Sequence, residues 1–377
     1  MQDFSLAGED VAAIVDEVKR FSTTDINKLV EKPEFPISQD QLGSITSQAC
    51  ENGLLHFEAD FGFGIWASPD HANSLALSLQ IIEQVARANT GIAWHWHQLA
   101  LGRWLLRRLG LGEETGQEVI VAAQGNYGLG RQPMARWLRS GTLSDEDREF
   151  LKEYFNPILG RLIHAGEGWQ QLIIPAFDDR GFCFRVCPRD KLMVDEHEHS
   201  HGLDEMDTFE VYPDHPDFPG VTTVPDHQGA AFRELLILNS LAMIALAQGS
   251  VRRAYDKARE YTSIRQQGGK IIDQHAAVQL LLADIQNAIQ STEVELEALS
   301  RIPLSGQDPR RVLSARLSAH PRLCHAANQA MQAFGGIGYM QDTGIEKILR
   351  DNNHLRRVYG TPVDLQLFIS EWERNDG

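Results

Sequence analysis

Gln332, Ala333, Phe334, Gly335, Gly336, Ile337, Gly338 and Tyr339 form the stretch on which the reading of this chain turns. They close a helix-periodic run, Pro309 to Ala333, with a Gly-Gly-x-Gly turn. Glycines there let backbone amides come close to a ligand, and the same glycines also serve as a helix C-cap and turn. The neighbouring segments Phe232 to Gln248, Val251 to Ile264 and Gln274 to Leu299 share the helical spacing, with a shorter one from Pro362 to Trp372, which predicts a C-terminal four-helix bundle. Between two of these helices lies a second joint, Arg265, Gln266, Gln267, Gly268, Gly269, Lys270, Ile271 and Ile272, whose arginine can pair bidentately with a phosphate.

Upstream the texture changes twice. Val119 to Ala122, Leu172 to Pro175, Phe182 to Val186 and Thr208 to Tyr212 are short β-prone runs separated by Gly, Pro and Asp clusters, with one helix from Asp145 to Glu153 behind an N-cap at Ser144. Before them the chain is helical again. Val11, Ile14, Val15 and Val18 share one face, and Leu75 to Ala88 and Ile92 to Leu109 follow, the last with Trp94, Trp96 and Trp104 read as packed core. The expected fold is mainly α with a central β domain: an N-terminal helical domain over residues 1–117, a small middle β domain over 118–228, and the helical bundle over 229–377.

The 377 residues carry 52 acidic against 35 Lys and Arg side chains, a formal charge of −17, which argues against a nucleic-acid partner. Cys50, Cys183, Cys187 and Cys324 form no CxxC pair. Met1 to Asp10 lacks the basic-then-apolar pattern of a signal peptide, and Leu235 to Ala247 is shorter than the roughly 20 residues that cross a bilayer. The expectation is a soluble cytoplasmic protein with reduced thiols and no membrane partner.

Taken together, the two joints resemble the acyl-CoA dehydrogenase family, whose bundle carries R-x-x-F-G-x-x-I, V-Q-x-x-L-A-D, Q-x-x-G-G-x-G-Y and an R-D ahead of a G-T. The matching residues are Arg265, Gly269 and Ile272; Val278, Gln279, Leu282, Ala283 and Asp284; Gln332, Gly335, Gly336, Gly338 and Tyr339; Arg350, Asp351, Gly360 and Thr361. The match runs without a gap from about Tyr255 to Ile369; further upstream it is one of layout and patches. It implies FAD as cofactor, with Arg265, Gln332, Gly335 and Gly336 holding adenosine and pyrophosphate across a subunit interface and Thr361 near the flavin. It also implies an acyl-CoA substrate, an electron-accepting flavoprotein, and a homo-oligomer or a hetero-oligomer with another acyl-CoA dehydrogenase subunit.

In the family a glutamate of Y-E-G-T removes the acyl α-proton while a β-hydride moves to flavin N5, forming an α,β double bond. Tyr359 occupies that position here, and Asn239 stands at the alternative base position used by some members. A phenol of pKa about 10 is a weak base unless a cation lowers its pKa, and Arg356 and Arg357 are near in sequence; otherwise Tyr359 fills the acyl pocket. Gly268 replaces the family's phenylalanine. Gly125, Asn126, Tyr127 and Gly128, and then Leu162, Ile163, His164 and Ala165, replace the segments that surround the flavin ring. Three functions follow: an active dehydrogenase with an unusual base, a non-catalytic subunit of a heteromeric dehydrogenase, or a flavin monooxygenase. In the run Asp195 to His201, His197, His199 and His201 alternate as metal ligands on a strand would, but the run reads as a solvated loop, and His95 and His97 as hydrogen-bonded helix residues, so no metal is expected.

Overall fold

The computed structural model describes residues 7–55, 64–112, 118–122, 127–156, 158–197, 200–213 and 220–374. Helices come first: α1 (Gly8–Phe21), continued through a π turn into the short α2 (Asn27–Leu29), then α3 (Gln39–Glu51), α4 (Ser74–Ala88) and α5 (Thr90–Arg108). Ser38 caps α3 by accepting from the Gln41 amide, while the Gln41 side chain accepts from the Ser38 amide. α5 is buried almost all round, as expected of a helix with apolar residues on every face.

The middle domain holds β1 (Val119–Val121), α6 (Gln132–Ser140), α7 (Asp145–Tyr154), β2 (Arg161–Ala165), β3 (Gln171–Asp178), β4 (Gly181–Pro188), β5 (Leu192–His197), β6 (Asp207–Pro213) and β7 (Thr222–Pro225). One sheet has the order β1-β3-β4-β7 and the other β2-β6-β5, antiparallel throughout except for β1 beside β3. Side chains alternate across a strand. On β3, Leu172 and Ile174 therefore enter a small core with Ile163, Phe209 and Val211 of the other sheet, while Ile173 and Phe177 join the main helical core.

The four expected strands are present, and α7 covers the expected helix with its Ser144 cap. Sequence reading did not find α6 or the strands β2, β5 and β7. The histidine run is not a surface loop in its first half. Asp195, Glu196 and His197 pair with β6 in the ladder; His199 lies outside the described residues, and His201 sits beyond the strand.

The C-terminal part comprises α8 (Ala230–Ile264), a β8–β9 hairpin (Gln266–Gln267 with Lys270–Ile271), α9 (Ala276–Ser300), α10 (Pro309–Phe334), α11 (Ile345–Leu355) and α12 (Pro362–Glu373). α8, α9, α10 and α11 make the bundle. The two helices expected at 232–248 and 251–264 are one, because Gly249 does not break α8 but admits α4: a Cβ there would fall 2.2 Å from the Glu83 carbonyl oxygen. The merged helix has the length and apolarity to cross a membrane, yet 83% of its apolar window is buried against the rest of the protein, so core packing accounts for the composition.

A buried ion cluster ties the three parts together. Lys347 of α11 meets Asp351 at 2.7 Å and Glu205 of the β domain at 3.1 Å. Glu205 accepts from Asn89 at the start of α5, and Asp351 accepts from the Leu203 amide. Gly91 is required here, since a Cβ would stand 2.1 Å from the Glu205 carboxylate. Removing the cation would strand two buried carboxylates. Lys347→Met is expected to lower stability by about 3 to 5 kcal/mol in a denaturant titration, and a change under about 1 kcal/mol would show that the cluster does not join the domains.

Candidate active site

The site is organised by the loop between α11 and α12. Tyr359 has φ +57 and Gly360 φ +115, and Thr361 caps α12. Arg316 of α10, 1% exposed, donates to the carbonyl oxygens of Val358, Tyr359 at 3.1 Å and Gly360 at 3.3 Å. Three carbonyls on one buried cation fix a backbone that a tyrosine would not adopt freely.

That conformation sends the Tyr359 ring inward, where it is 3% exposed. It lies parallel between two aromatic neighbours, Trp94 at 5.8 Å and 13° and Tyr127 at 5.1 Å and 6°. The Gln98 amide, one turn after Trp94, donates to the phenol oxygen at 2.6 Å. Burial pushes the phenol above its ordinary range and outweighs the Gln98 hydrogen bond and the Arg316 charge, which act the other way. Arg356 and Arg357, considered as activating cations, are not what faces the ring; Arg316 is, and it does not lower the phenol overall. At neutral pH Tyr359 is a protonated, stacked side chain and no base.

Asn239 is committed elsewhere. The Trp66 indole donates to His97 Nδ1 at 3.0 Å, and because an indole only donates, the network assigns the His97 proton to Nε2. His97 Nε2 then donates to Asn239 Oδ1 at 3.0 Å, and the Asn239 amide donates to the Tyr127 hydroxyl at 3.4 Å. Burial, against a smaller opposing effect of Asn239, lowers His97 to about 4, so this chain is neutral. His97 is thus hydrogen-bonded as the sequence indicates, and neither Tyr359 nor Asn239, the two positions at which the resemblance implies a base, holds one.

Outside the stack, a cleft of about 1260 Å³ opens between β2 and α11. His164 and His354 both line it and pack edge to face on each other, ring centroids 4.7 Å apart. His164 bonds Thr208 at 3.0 Å, whereas His354 Nε2 is buried without a partner among the described residues. Burial lowers each ring to about 4, so the pair is neutral. Thr361 lines this cleft, but its hydroxyl already accepts from the Asp364 amide and donates to the Asp364 carboxylate.

The other expected cofactor residues gather at the far end of the bundle. Tyr261 stacks on Phe334 at 4.5 Å and brings the end of α8 beside the end of α10, so Arg265 and the Gln332–Gly336 turn share one surface. Arg265 is exposed with no ion-pair partner among the described residues, and Gly335 and Gly336 have no atom within 4 Å of where a Cβ would stand. Gly268, in place of an aromatic residue, turns the hairpin at φ +62 followed by Gly269 at +81, a turn that selects glycine. Gly125 and Asn126 lie outside the described residues.

Sequence reading missed Gln98, Arg316 and the stacking role of Trp94. Their spacing on α5 and α10 is ordinary, and only the fold brings them to a residue that Gln98 meets across 261 positions.

Comparison with known proteins bears on the fold and the family. The sequence pattern of the acyl-CoA dehydrogenase C-terminal domain matches residues 230–362. The cyclohex-1-ene-1-carbonyl-CoA dehydrogenase of Geobacter metallireducens is 30% identical over 138 residues, 35% of this chain and 36% of that protein; the chain thus spans about a third of the length of such relatives. Similarity to the "Probable acyl-CoA dehydrogenase FadE25" of Mycobacterium tuberculosis is 25% over 350 residues, covering 88% of this chain and 86% of that protein. The crystal structure of the prolyl acyl carrier protein oxidase AnaB shares the fold with a TM-score of 0.73 at 14% identity, over 98% of this chain and 100% of that one.

Replacing Tyr359 tests the stack. Tyr359→Phe leaves the Gln98 amide buried and unpaired, an expected loss of about 1 to 3 kcal/mol. In an alkaline absorbance titration the wild type minus Tyr359→Phe difference should show no phenol ionising near pH 10; a step there would mean that the ring is open to solvent.

Proposed function

Because this chain belongs to the acyl-CoA dehydrogenase superfamily, we propose that it is an FAD-holding subunit of an acyl-thioester dehydrogenase assembly whose own acyl pocket is closed. The observation that carries this reading is Tyr359, protonated and stacked between Trp94 and Tyr127 where relatives hold a glutamate. Bound FAD would supply the hydride acceptor for α,β-dehydrogenation of an acyl-CoA thioester. What this chain's residues supply is binding and orientation, since no carboxylate among the described residues touches the phenol.

The residues fit the cofactor in two separated halves. Arg265, with no competing carboxylate among the described residues, offers a bidentate partner for a pyrophosphate, and the open faces of Gly335 and Gly336 allow close approach. The cleft lined by His164, His354 and Thr361 offers about 1260 Å³ for the ring system. From Arg316, beneath the cleft loop, to Gln332 is 16 positions of α10, about 24 Å at the helical rise. One chain therefore offers its cleft and its clamp at opposite ends of a helix, which supports a site completed by a second subunit. Proton removal is then the work of a related subunit that carries a base, and an electron-accepting flavoprotein reoxidises the assembly. An isolated chain that dehydrogenates acyl-CoA itself is the less favoured reading, because Tyr359 would have to leave its stack and ionise.

Arg265→Ala should weaken FAD retention by about 1.5 to 3 kcal/mol, read from the flavin spectrum during dialysis. With a saturated acyl-CoA the chain alone should leave its flavin oxidised, whereas the chain with its catalytic partner should bleach at a rate that Tyr359→Phe does not change. Unaltered FAD affinity in Arg265→Ala would remove the clamp assignment. Rapid bleaching of the isolated chain would remove the closed-pocket reading.

A further inference from the structure

Where the segment 30–37, ahead of α3, packs against α8 and α11, it closes a cavity that neither the clamp nor the Tyr359 stack uses. Arg253, which lines it, is 14 positions along α8 from Asn239, about 21 Å at the helical rise, and 12 positions short of Arg265. A Cβ on Gly344, just ahead of α11, would stand 2.6 Å from Pro33 and 3.8 Å from Lys257 Nζ, so the segment, α8 and the start of α11 meet at one point. The walls include Val30, Pro33 and Ile37 of the segment, Ala86 of α4 and Ile348 of α11. About 60 Å³ of the cavity is open to the centre of a water molecule. One water needs about 10 to 15 Å³ by that measure, so a ligand of about four to six non-hydrogen atoms fits.

This cavity is basic in a chain whose net charge is −17. Lys32, Arg253 and Lys257 line it with no ion-pair partner among the described residues. The carboxylates in its lining, Glu205 and Asp351, both pair with Lys347. Arg253 and Lys257 are half-buried and one turn apart on α8, a spacing at which like charges repel. Lys257 gives an N–H to the Thr343 carbonyl at 3.0 Å. Burial, and then the Arg253 charge, lower its ammonium, and Glu260 opposes them to a smaller extent. Two neighbouring cations at an apolar cavity, with no carboxylate paired to either among the described residues, form an arrangement that a bound anion relieves.

We infer that this cavity binds a short-chain monocarboxylate, with its carboxylate on Arg253 and Lys257 and its alkyl chain against Pro33, Ile37, Ala86 and Ile348. The Arg253 guanidinium makes no hydrogen bond among the described residues and can present two parallel N–H groups to a carboxylate. Repulsion from Glu205 and Asp351 keeps the charged end of the ligand on the Arg253 side. The apolar walls favour an anion that carries a hydrocarbon chain, because an inorganic ion would leave them hydrated. The space limits that chain to about the length of butyrate. The bound ligand bridges the segment 30–37 to α8, beside the Glu205, Lys347 and Asp351 cluster that joins the three parts of the protein. The inference does not depend on flavin binding.

The test is calorimetric titration of the full chain with sodium butyrate in a fixed background of sodium chloride. Butyrate should bind saturably, one per chain, and butyramide, its uncharged counterpart, and inorganic phosphate should each bind at least about tenfold more weakly. Arg253→Gln and Lys257→Met should each weaken butyrate by about tenfold or more, while their Tm without butyrate stays within about 2 °C of the wild type. Arg253 has no hydrogen-bond partner to lose among the described residues, so Arg253→Gln remains decisive should Lys257→Met fail to fold. Absence of saturable butyrate binding would overturn the site. Butyramide or phosphate binding as tightly as butyrate would do the same, as would undiminished butyrate affinity in Arg253→Gln.

Discussion

The Arg316 guanidinium, buried against the carbonyl oxygens of Val358, Tyr359 and Gly360, is the constraint on which the site depends. A tyrosine at φ +57 is unfavourable by itself. Charge-assisted hydrogen bonds from a cation that has little access to water hold it there, and the direction of the Tyr359 ring follows from the backbone. Once the ring points inward, Trp94 and Tyr127 stack on it, Gln98 finds its acceptor, and the space inside the loop is filled by aromatic side chains.

The same logic separates the two remaining polar systems. The Trp66, His97, Asn239 and Tyr127 chain is neutral from end to end and buried, so it specifies packing and has no group ready to take a proton at neutral pH. The Glu205, Lys347 and Asp351 cluster is charged but mutually compensated, and it locks the β domain to both helical parts. Beside these fixed regions the cleft lined by His164 and His354 opens on the flank of the Tyr359 stack.

Much of the fold was legible because periodicity reports burial directly. α4, α5, α9 and α10 follow their apolar spacing, and the strand β3 is apolar on both faces because it contributes to two cores. Errors came where one residue type has two physical uses. Gly249 read as a break and proved to be a point of helix contact. β2 and β5 carry exposed residues such as Leu162 and Met193, and their alternation is too weak to read without the partner strand β6. In the site, the exchange of glutamate for Tyr359 was visible from the G-T register, but the decisive partners were not, since Gln98 and Arg316 meet it only through tertiary contacts.

The central claim is that Tyr359 occupies the acyl site of this chain. It is tested most directly by calorimetric titration of a saturated long-chain acyl-CoA into the wild type and into Tyr359→Ala at several temperatures. Burial of an acyl chain carries a negative heat-capacity change. The account predicts that signature in Tyr359→Ala, where the stack is opened, and its absence in the wild type; a negative heat-capacity change of equal size in both proteins would contradict it.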